Sequence, residues 1–185
     1  MPEGPSIVIL KELVQQFTGQ EVLSVSGNSK IGIDRIKGHT VIAFKSWGKH
    51  FLICFEDFTI KVHFLMFGTY RINEKKESIP RLNLTFSNGE INLYTCSIKF
   101  LEGSVDQHYD WTEDVMNEEW DPKSAVKKLA LIPNQMICDA LLDQNIFSGV
   151  GNIIKNEVLY RTYTHPESLT GKIPAEKLSQ IIKEC

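Results

Sequence analysis

The chain has 185 residues, of which 42% are hydrophobic and 23% charged, so it carries enough apolar side chains for a folded core and is not a disordered protein. Its formal net charge is −3, so any binding of nucleic acid must depend on local clusters of basic residues rather than on overall charge. The four cysteines stand apart without a CxxC pair, which excludes a readable zinc ribbon or redox motif and favours a reduced, intracellular protein.

The chain starts with the sequence MPEGPS. Pro2 and Pro5 restrict φ and Gly4 permits a turn, so this terminus is stiffer than the frayed start of an ordinary chain. Removal of Met1 would expose the secondary amine of Pro2, and an α-amino group with a reference pKa near ~8 is partly unprotonated at neutral pH. Such an amine forms a Schiff base with a carbonyl carbon, and Glu3 beside it can move protons. Two interpretations stay open, a catalytic terminus and a plain Pro/Gly-rich start.

One helix and then a series of strands are predicted in the first half of the chain. Apolar residues recur at spacings of three and four over residues 5–17, which predicts a helix that Gly19 ends. From residue 21 onward, short apolar or alternating stretches end in Gly, Asn or Asp, which is typical of strands and turns. These stretches are EVLSVSG, TVIAFKSWG, HFLICFED, FTIKVHFLMFG, RLNLTFSNG and EINLYTCS. With a hairpin turn at SNGE, they predict a β-sandwich or barrel.

The second half of the chain is predicted to be helical. Asp121 as N-cap and Pro122 at the first helical position start one helix, MICDALLDQ and NIIKNEVLYR are two more, and Pro174 starts the last. The acidic, irregular sequence before these helices predicts a linker. The last helical pattern is still running at Cys185, so we expect a further C-terminal segment. The predicted organisation is a domain at residues 1–103, a linker at 104–122 and a helical domain at 123–185.

Two glycines in NIFSGVG separate the second and third of these helical stretches. Asn152 stands where the following helix is predicted to begin. The free N–H groups and partial positive charge of a helix N-terminus suit a phosphate, and Asn152 would cap that helix and add a donor. Lys155 adds a positive charge one turn later. The alternative is a plain αα-hairpin with a glycine-rich connection.

Two other stretches lie at the edges of predicted strands. Lys49 in WGKH is either a solvated strand end or a group that holds a phosphate or a catalytic carboxylate. Leu65, Met66 and Phe67 in VHFLMFGTYR belong to the core if they continue the strand. In a loop they would be exposed, and apolar side chains of this kind enter a base stack and fill the space of a displaced base.

In this order along nearly the whole chain, PEGPS, WGKH, HFLMFG and LLDQNIFSGVGNIIKNEVLY resemble the formamidopyrimidine-DNA glycosylase / endonuclease VIII family. The resemblance implies an α+β fold, with an N-terminal β-sandwich and flanking helix followed by an all-α helix–two-turns–helix domain. It also implies a bifunctional DNA glycosylase and AP lyase of base excision repair, with damaged DNA as partner and no metal or other cofactor in this chain. The PEGP start is more similar to the endonuclease VIII branch, which favours oxidised pyrimidines.

The resemblance also implies roles for individual residues. Pro2 would attack the sugar anomeric carbon, displace the base and form a Schiff base, after which β- and δ-elimination would cut the strand. Glu3 would move protons as the sugar ring opens, and Lys49 would contact a DNA phosphate near these residues. Asn152 would bind a second phosphate. The residues expected to fill the gap left by the flipped nucleotide are Leu65, Met66 and Phe67.

The chain departs from the family pattern at several points. Ser6 stands where the family commonly has glutamate, and Ile154 where many members have tyrosine. The C-terminal zinc finger of many members has no counterpart among these residues, so a DNA-binding relative or fragment with weak or no catalysis is the alternative. A small-molecule enzyme with a proline base would leave GVGN and HFLMFG unexplained. No apolar run reaches the ~18 residues of a membrane span, so we expect an intracellular protein without membrane contact, and a monomer.

Overall fold

The computed structural model describes residues 2–185, which form two compact units. One unit contains Pro2 and Ser6–Tyr109, and the other contains Glu3–Pro5 together with Asp110–Cys185. The first few residues of the chain are therefore divided between the two units. Within the described residues, every helix is too short or too polar to cross a membrane.

The predicted N-terminal helix consists of two pieces. Helix α1 spans Gly4–Leu13, and a 3₁₀ helix follows at Gln15–Phe17. The N–H of Phe17 bonds to the carbonyl of Val14 only three residues earlier, at 2.9 Å, so the last turn is tighter than an α-helical turn. The single helix predicted over residues 5–17 is therefore wrong in its last turn. The buried side chains of this region are Ile7, Leu10, Val14 and Phe17.

Six strands form one antiparallel sheet in the order β1-β5-β6-β4-β3-β2. A two-residue turn joins β5 to β6, with Phe86 paired to Gly89, which confirms the hairpin predicted at SNGE. Two strands, β4 and β6, are far longer than the others and pair along most of their length. The strands are β1 (Ser24–Ser26), β2 (Ala43–Trp47), β3 (His50–Cys54), β4 (Phe58–Ile72), β5 (Leu82–Phe86) and β6 (Gly89–Glu102).

The two ends of this sheet meet around a single core. The segment before β1 pairs with the segment before β2 through the Glu21–Thr40 bridge, and the N–H of Gly19 bonds to the carbonyl of Val41 at 2.8 Å. Buried side chains from α1 and from strands β2 to β6 form one continuous hydrophobic cluster. The sheet thus folds over its own core in two layers, as the predicted β-sandwich requires. Together with the helices, this confirms the predicted α+β class.

The second unit contains four helices around its own core. Asp121 caps the first of them, because its Oδ1 accepts the N–H of Lys123 at 2.9 Å, and Pro122 is the first helical residue, as predicted. The stretch MICDALLDQ is helical over only four residues before two turns begin. The helices are α2 (Pro122–Ala130), α3 (Ile137–Ala140), α4 (Asn152–Arg161) and α5 (Ala175–Glu184). The core includes Ala125, Leu129, Leu141, Phe147, Val158 and Ile181.

Much of the segment predicted as a linker is folded. From Asp110 onward it belongs to the second unit. There the N–H of Ser148 bonds to the carbonyl of Glu113 at 3.0 Å, and the N–H of Val115 bonds to the carbonyl of Ser148 at 3.1 Å. Asp114 lies between them and is only 1% exposed. One carboxylate of this acidic segment, that of Asp114, is therefore buried beside the turns that precede α4.

Candidate functional site

The carboxylate of Glu3 binds the N-terminus of helix α4. Glu3 is 6% exposed, its Oε1 accepts the N–H of Ile153 at 2.8 Å, and its Oε2 accepts the N–H of Ile154 at 3.1 Å. The first N–H groups of a helix have no partner inside the helix and carry a partial positive charge, so a carboxylate is the favoured acceptor. The third residue of the chain thus caps a helix that begins about 150 residues later.

Gly151 provides the space for this carboxylate. It is the N-cap of α4 with φ −124°, a conformation that any residue adopts, so backbone freedom is not the reason for glycine here. A Cβ at this position would lie 2.3 Å from Oε1 of Glu3 and 2.4 Å from its Cδ. The helix cap made by Glu3 therefore requires a residue without a side chain at position 151.

A backbone hydrogen bond fixes the next residue of the terminus. The N–H of Gly4 donates to the carbonyl of Gly149 at 2.9 Å, in the turn that precedes α4. Pro2 is half-buried and directly precedes these two anchored residues. The stiffness predicted from MPEGPS is thus accompanied by specific bonds, which hold the residue that follows Pro2 in a defined position.

The turns between α3 and α4 are held by two side chains that sequence reasoning missed. The Nε2 of Gln144 donates to the carbonyl of Val150 at 3.0 Å, and its Oε1 accepts the N–H of Gly149 at 3.2 Å. The Nζ of Lys128 donates to the carbonyl of Asn145 at 2.6 Å. A glutamine in a turn and a lysine on a helix have no signature of their own, so only the structure identifies their part in presenting α4.

Asn152 lies beside Lys155, but it does not cap helix α4. The N-cap is Gly151 and Asn152 is the first helical residue, so the prediction of an asparagine cap is wrong. The Oδ1 of the exposed Asn152 accepts a bond from the Nζ of Lys155 at 3.0 Å. Two N–H groups predicted to be free for a phosphate are occupied by Glu3. The polar groups that this helix start presents outward are therefore mainly side-chain groups.

Lys49 lies in the turn between β2 and β3. Its backbone carbonyl accepts a bond from Nδ1 of His63 at 3.3 Å. His63 in turn packs edge-on against His50, with ring centroids 5.4 Å apart, and His50 stacks on Trp47 at 5.6 Å. Burial, with smaller contributions from Lys61 and His63, lowers the pKa of His50 to about 3, so this ring is neutral at physiological pH. The sequence indicated Lys49 but not His63, whose ring contacts the Lys49 carbonyl.

Leu65, Met66 and Phe67 are 48%, 66% and 81% exposed, respectively. They lie within β4, so the strand continues through them, yet they are exposed, as was expected only for a loop. The β4–β6 register shifts between Phe64 and Thr69. The extra residues of β4 form a bulge, which turns the three apolar side chains outward. Consecutive large apolar side chains at such exposure indicate a binding surface.

No group of three His, Cys, Asp or Glu side chains in the described part of the chain is arranged to hold a metal ion. The cysteines are free thiols, and two of them, Cys54 and Cys96, are buried. Burial raises the pKa of Cys96 to about 12, which makes that thiol a poor nucleophile. The expectation that this chain needs no cofactor stays a prediction.

Two family models together match most of the chain. The model described as "Formamidopyrimidine-DNA glycosylase N-terminal domain" matches residues 1–101, and the one described as "Formamidopyrimidine-DNA glycosylase H2TH domain" matches residues 112–185. Among solved structures, a viral DNA glycosylase has a TM-score of 0.86 at 20% identity and covers 98% of this chain and 78% of that one. The Lactococcus lactis formamidopyrimidine-DNA glycosylase bound to AP-site DNA has a TM-score of 0.85 at 21% identity, with coverage of 98% and 78%. At these identities the likeness shows the fold.

Curated relatives include members of both branches of this family. Endonuclease 8-like 2 of Mus musculus is 37% identical over 123 residues, which cover 60% of this chain and 36% of the relative. Endonuclease 8-like 3 of Xenopus laevis is 29% identical over 174 residues, with coverage of 88% and 28%. The formamidopyrimidine-DNA glycosylase of Lactobacillus helveticus is 27% identical, with coverage of 98% and 73%. The chain thus spans about a third of the length of the two endonuclease 8-like relatives.

Proposed function

Since the chain belongs to the formamidopyrimidine-DNA glycosylase / endonuclease VIII family, we propose that it removes damaged bases from DNA and cleaves the strand at the resulting abasic site, with Pro2 as nucleophile. The observation that carries this proposal is the anchoring of Glu3 and Gly4 to the start of α4 and the turn before it. These bonds hold the two residues that directly follow the proposed nucleophile in a defined position. The names of two relatives, a formamidopyrimidine-DNA glycosylase and the DNA-(apurinic or apyrimidinic site) lyase Nei2 of Mycolicibacterium smegmatis, support both activities.

The proposed reaction begins when removal of Met1 frees the secondary amine of Pro2. Its lone pair attacks C1′ of the damaged nucleotide, and the glycosidic bond breaks. The base leaves with the bonding electrons and takes up a proton, while the Pro2 nitrogen loses its own N–H proton. Opening of the sugar ring then gives an iminium between C1′ and the Pro2 nitrogen. This cation acidifies the C2′ proton, whose loss expels the 3′-phosphate by β-elimination, and a further elimination expels the 5′-phosphate. Hydrolysis of the imine returns the free amine.

The proposed role of Glu3 in proton transfer is compatible with its position at the start of α4. Each of its carboxylate oxygens accepts one N–H bond and keeps a further lone pair for another proton. We propose that Glu3 delivers a proton to the sugar oxygen as the ring opens and accepts one during elimination. Because the same carboxylate caps α4, its orientation is set by the helix rather than by its own rotamer freedom.

The remaining predicted residues are proposed to bind the DNA. Lys49, Asn152 and Lys155 would contact phosphates, and the exposed apolar side chains of the β4 bulge would fill the space of the flipped nucleotide. For the excised base we propose oxidised pyrimidines, on the basis of the PEGP start and of the greater identity to endonuclease 8-like relatives. An intracellular monomer remains our expectation.

The experiment that tests this proposal is an intact-mass measurement of the chain, before and after borohydride treatment with DNA that contains an abasic site. We expect a chain without Met1 that gains the mass of one DNA strand. Pro2→Ala should keep the fold and form far less adduct than the wild type, because the primary amine that replaces the secondary amine gives a neutral imine, which must be protonated before it reacts, instead of an obligate iminium cation. Pro5→Ala, a change at an exposed proline three residues later, should still form the adduct. Equal trapping by Pro2→Ala and the wild type would overturn the mechanism, and a processed chain without an adduct would favour the non-catalytic DNA-binding alternative.

A further inference from the structure

One face of the sheet carries a row of basic side chains that the proposed chemistry does not use. Cross-strand partners point to the same face of a sheet, and the opposite face here is the core, where Phe51, Ile60 and Ile98 are buried. The outer face contains one row nearest the β2–β3 turn, formed by Trp47, His50, His63 and Ser97. The next row along this face is formed by Lys45, Leu52, Lys61 and Lys99, of which Leu52 is buried, Lys45 and Lys61 are half-buried and Lys99 is exposed.

Lys61 and Lys99 are direct cross-strand partners in β4 and β6. Like charges in this arrangement destabilise a sheet. Among the described residues, the ion pairs include neither of them, whereas Lys45 in the same row lies 3.6 Å from Asp106. Burial and the neighbouring Lys99 lower the pKa of Lys61. The fold thus places two lysines on directly paired positions, and among the described residues neither has an ion-pair partner, in a chain with a net charge of −3.

This lysine pair lies on the same face of the sheet as His63, which contacts the Lys49 turn. His63 bonds to the carbonyl of Lys49, and the row of His63 lies two residues along the strand from that of Lys61, or about 7 Å. Lys61 is also close enough to His50 to lower its pKa. The Lys49 turn, His63 and the lysine pair therefore lie on the same face of the sheet.

We propose that Lys61 and Lys99 bind phosphates of the DNA backbone beyond the damaged nucleotide. This inference rests on the proposed function, which supplies the polyanion. A phosphate between the two ammonium groups would replace their mutual repulsion with attraction, and duplex DNA offers one negative charge per ~1.7 Å of helix axis. The pair would add affinity that is independent of base sequence and of the lesion.

The test measures affinity for a fluorescent duplex with a tetrahydrofuran abasic analogue, as a function of salt between about 50 and 200 mM KCl. A plot of log K against log salt has a negative slope. The double variant Lys61→Gln/Lys99→Gln should reduce the magnitude of this slope by about 2, and each single variant should reduce it by about 1. Undamaged duplex should show the same loss. The control Lys30→Gln/Lys37→Gln removes two exposed lysines of the same unit and should leave the slope at the wild-type value. Thermal melting should show no loss of stability in the Lys61/Lys99 variant, because a repulsion is removed.

The possible results separate this inference from the proposed function. If the wild type binds DNA and forms the borohydride adduct, but the Lys61/Lys99 variant keeps the slope of the control, the lysine pair does not bind phosphate and the inference is overturned while the function stands. If the wild type neither binds nor traps DNA, both are overturned. A reduced slope that appears only with abasic DNA would also contradict a lesion-independent backbone contact.

Discussion

At the scale of single residues, the position of the Glu3 carboxylate depends on the absence of a side chain at Gly151. The carboxylate needs an uncapped helix start, and the helix start needs a residue without a side chain so that the carboxylate can approach. The sequence indicated Glu3 only because it adjoins Pro2, and it indicated Gly151 only as part of a flexible turn. Their contact joins residues about 150 positions apart, and local spacing carries no information about such a pair.

Gly151→Ala should displace Glu3 with little effect on the rest of α4, since alanine is acceptable at the φ of this position. We expect the rate of borohydride trapping to fall about tenfold or more, which corresponds to ~1.4 kcal/mol of lost transition-state stabilisation. The measurement is single-turnover trapping at saturating abasic DNA. Gly32→Ala, where a new Cβ meets no atom within 4 Å, is the matched control and should trap like the wild type. Full activity in Gly151→Ala would show that the position of Glu3 is not critical.

At the scale of secondary-structure elements, the spacing of apolar residues along the sequence predicted the sheet and most helices. It did not predict the irregularities that form the candidate site. The hairpin at SNGE and the start of α2 at Pro122 follow from local turn and cap chemistry, and both are confirmed. The bulge in β4 was not predictable in the same way, since it depends on the register with β6. The cap of α4 was assigned to Asn152 because asparagine is a good cap, whereas the structure supplies a carboxylate from the other end of the sequence.

Phe67→Ala tests the bulge as a surface that acts on DNA. Because Phe67 is 81% exposed, we expect its removal to change the free energy of unfolding by less than about 0.5 kcal/mol. Excision from damaged duplex should slow, while trapping on single-stranded abasic DNA, which needs no unstacking, should change little. Phe64→Ala, three residues earlier and 3% exposed, should instead destabilise the protein by about 3–5 kcal/mol. Chemical denaturation and the two DNA substrates together distinguish these roles, and a loss of stability in Phe67→Ala would assign that ring to packing.

Asn152→Ala tests the start of α4 as a phosphate contact. Since the helix is capped by Glu3 and the Asn152 side chain bonds to Lys155, we expect thermal stability within about 0.5 kcal/mol of the wild type. DNA affinity should fall several-fold with an unchanged preference for the lesion. Asn156→Ala, at an exposed position one turn later, is the control and should bind normally. A large drop in melting temperature for Asn152→Ala would show a capping role that the structure does not contain.

At the scale of the whole molecule, residues 2–185 form two hydrophobic cores, one in each unit. Along the sequence, apolar residues alternate in the first half and follow helical spacing in the second, and this change predicted two domains. The apolar residues of each half form the core of that half. The assignment of Glu3–Pro5 to the helical unit was not predictable, because it follows from bonds to residues 149–154 rather than from any property of the terminus.

Core truncations should therefore act within their own unit. Leu84→Ala in the sheet and Leu141→Ala in the helical unit remove fully buried side chains and should each cost about 2–5 kcal/mol. In hydrogen exchange followed by mass spectrometry, Leu84→Ala should raise exchange mainly in residues 6–109, and Leu141→Ala mainly in residues 110–185. Uniform acceleration across the chain in both variants would instead show that the two cores unfold as one cooperative system.

The long separation between Glu3 and its partners also bears on how the molecule is made. The terminus leaves the ribosome first, but the helix start that receives Glu3 is synthesised about 150 residues later. At roughly 5–20 residues per second, this leaves on the order of 8–30 s in which the terminus has no partner. The proposed chemistry needs a free Pro2 amine, so the aminopeptidase that removes Met1 has an accessible substrate during translation, before the finished fold anchors the two residues that follow Pro2.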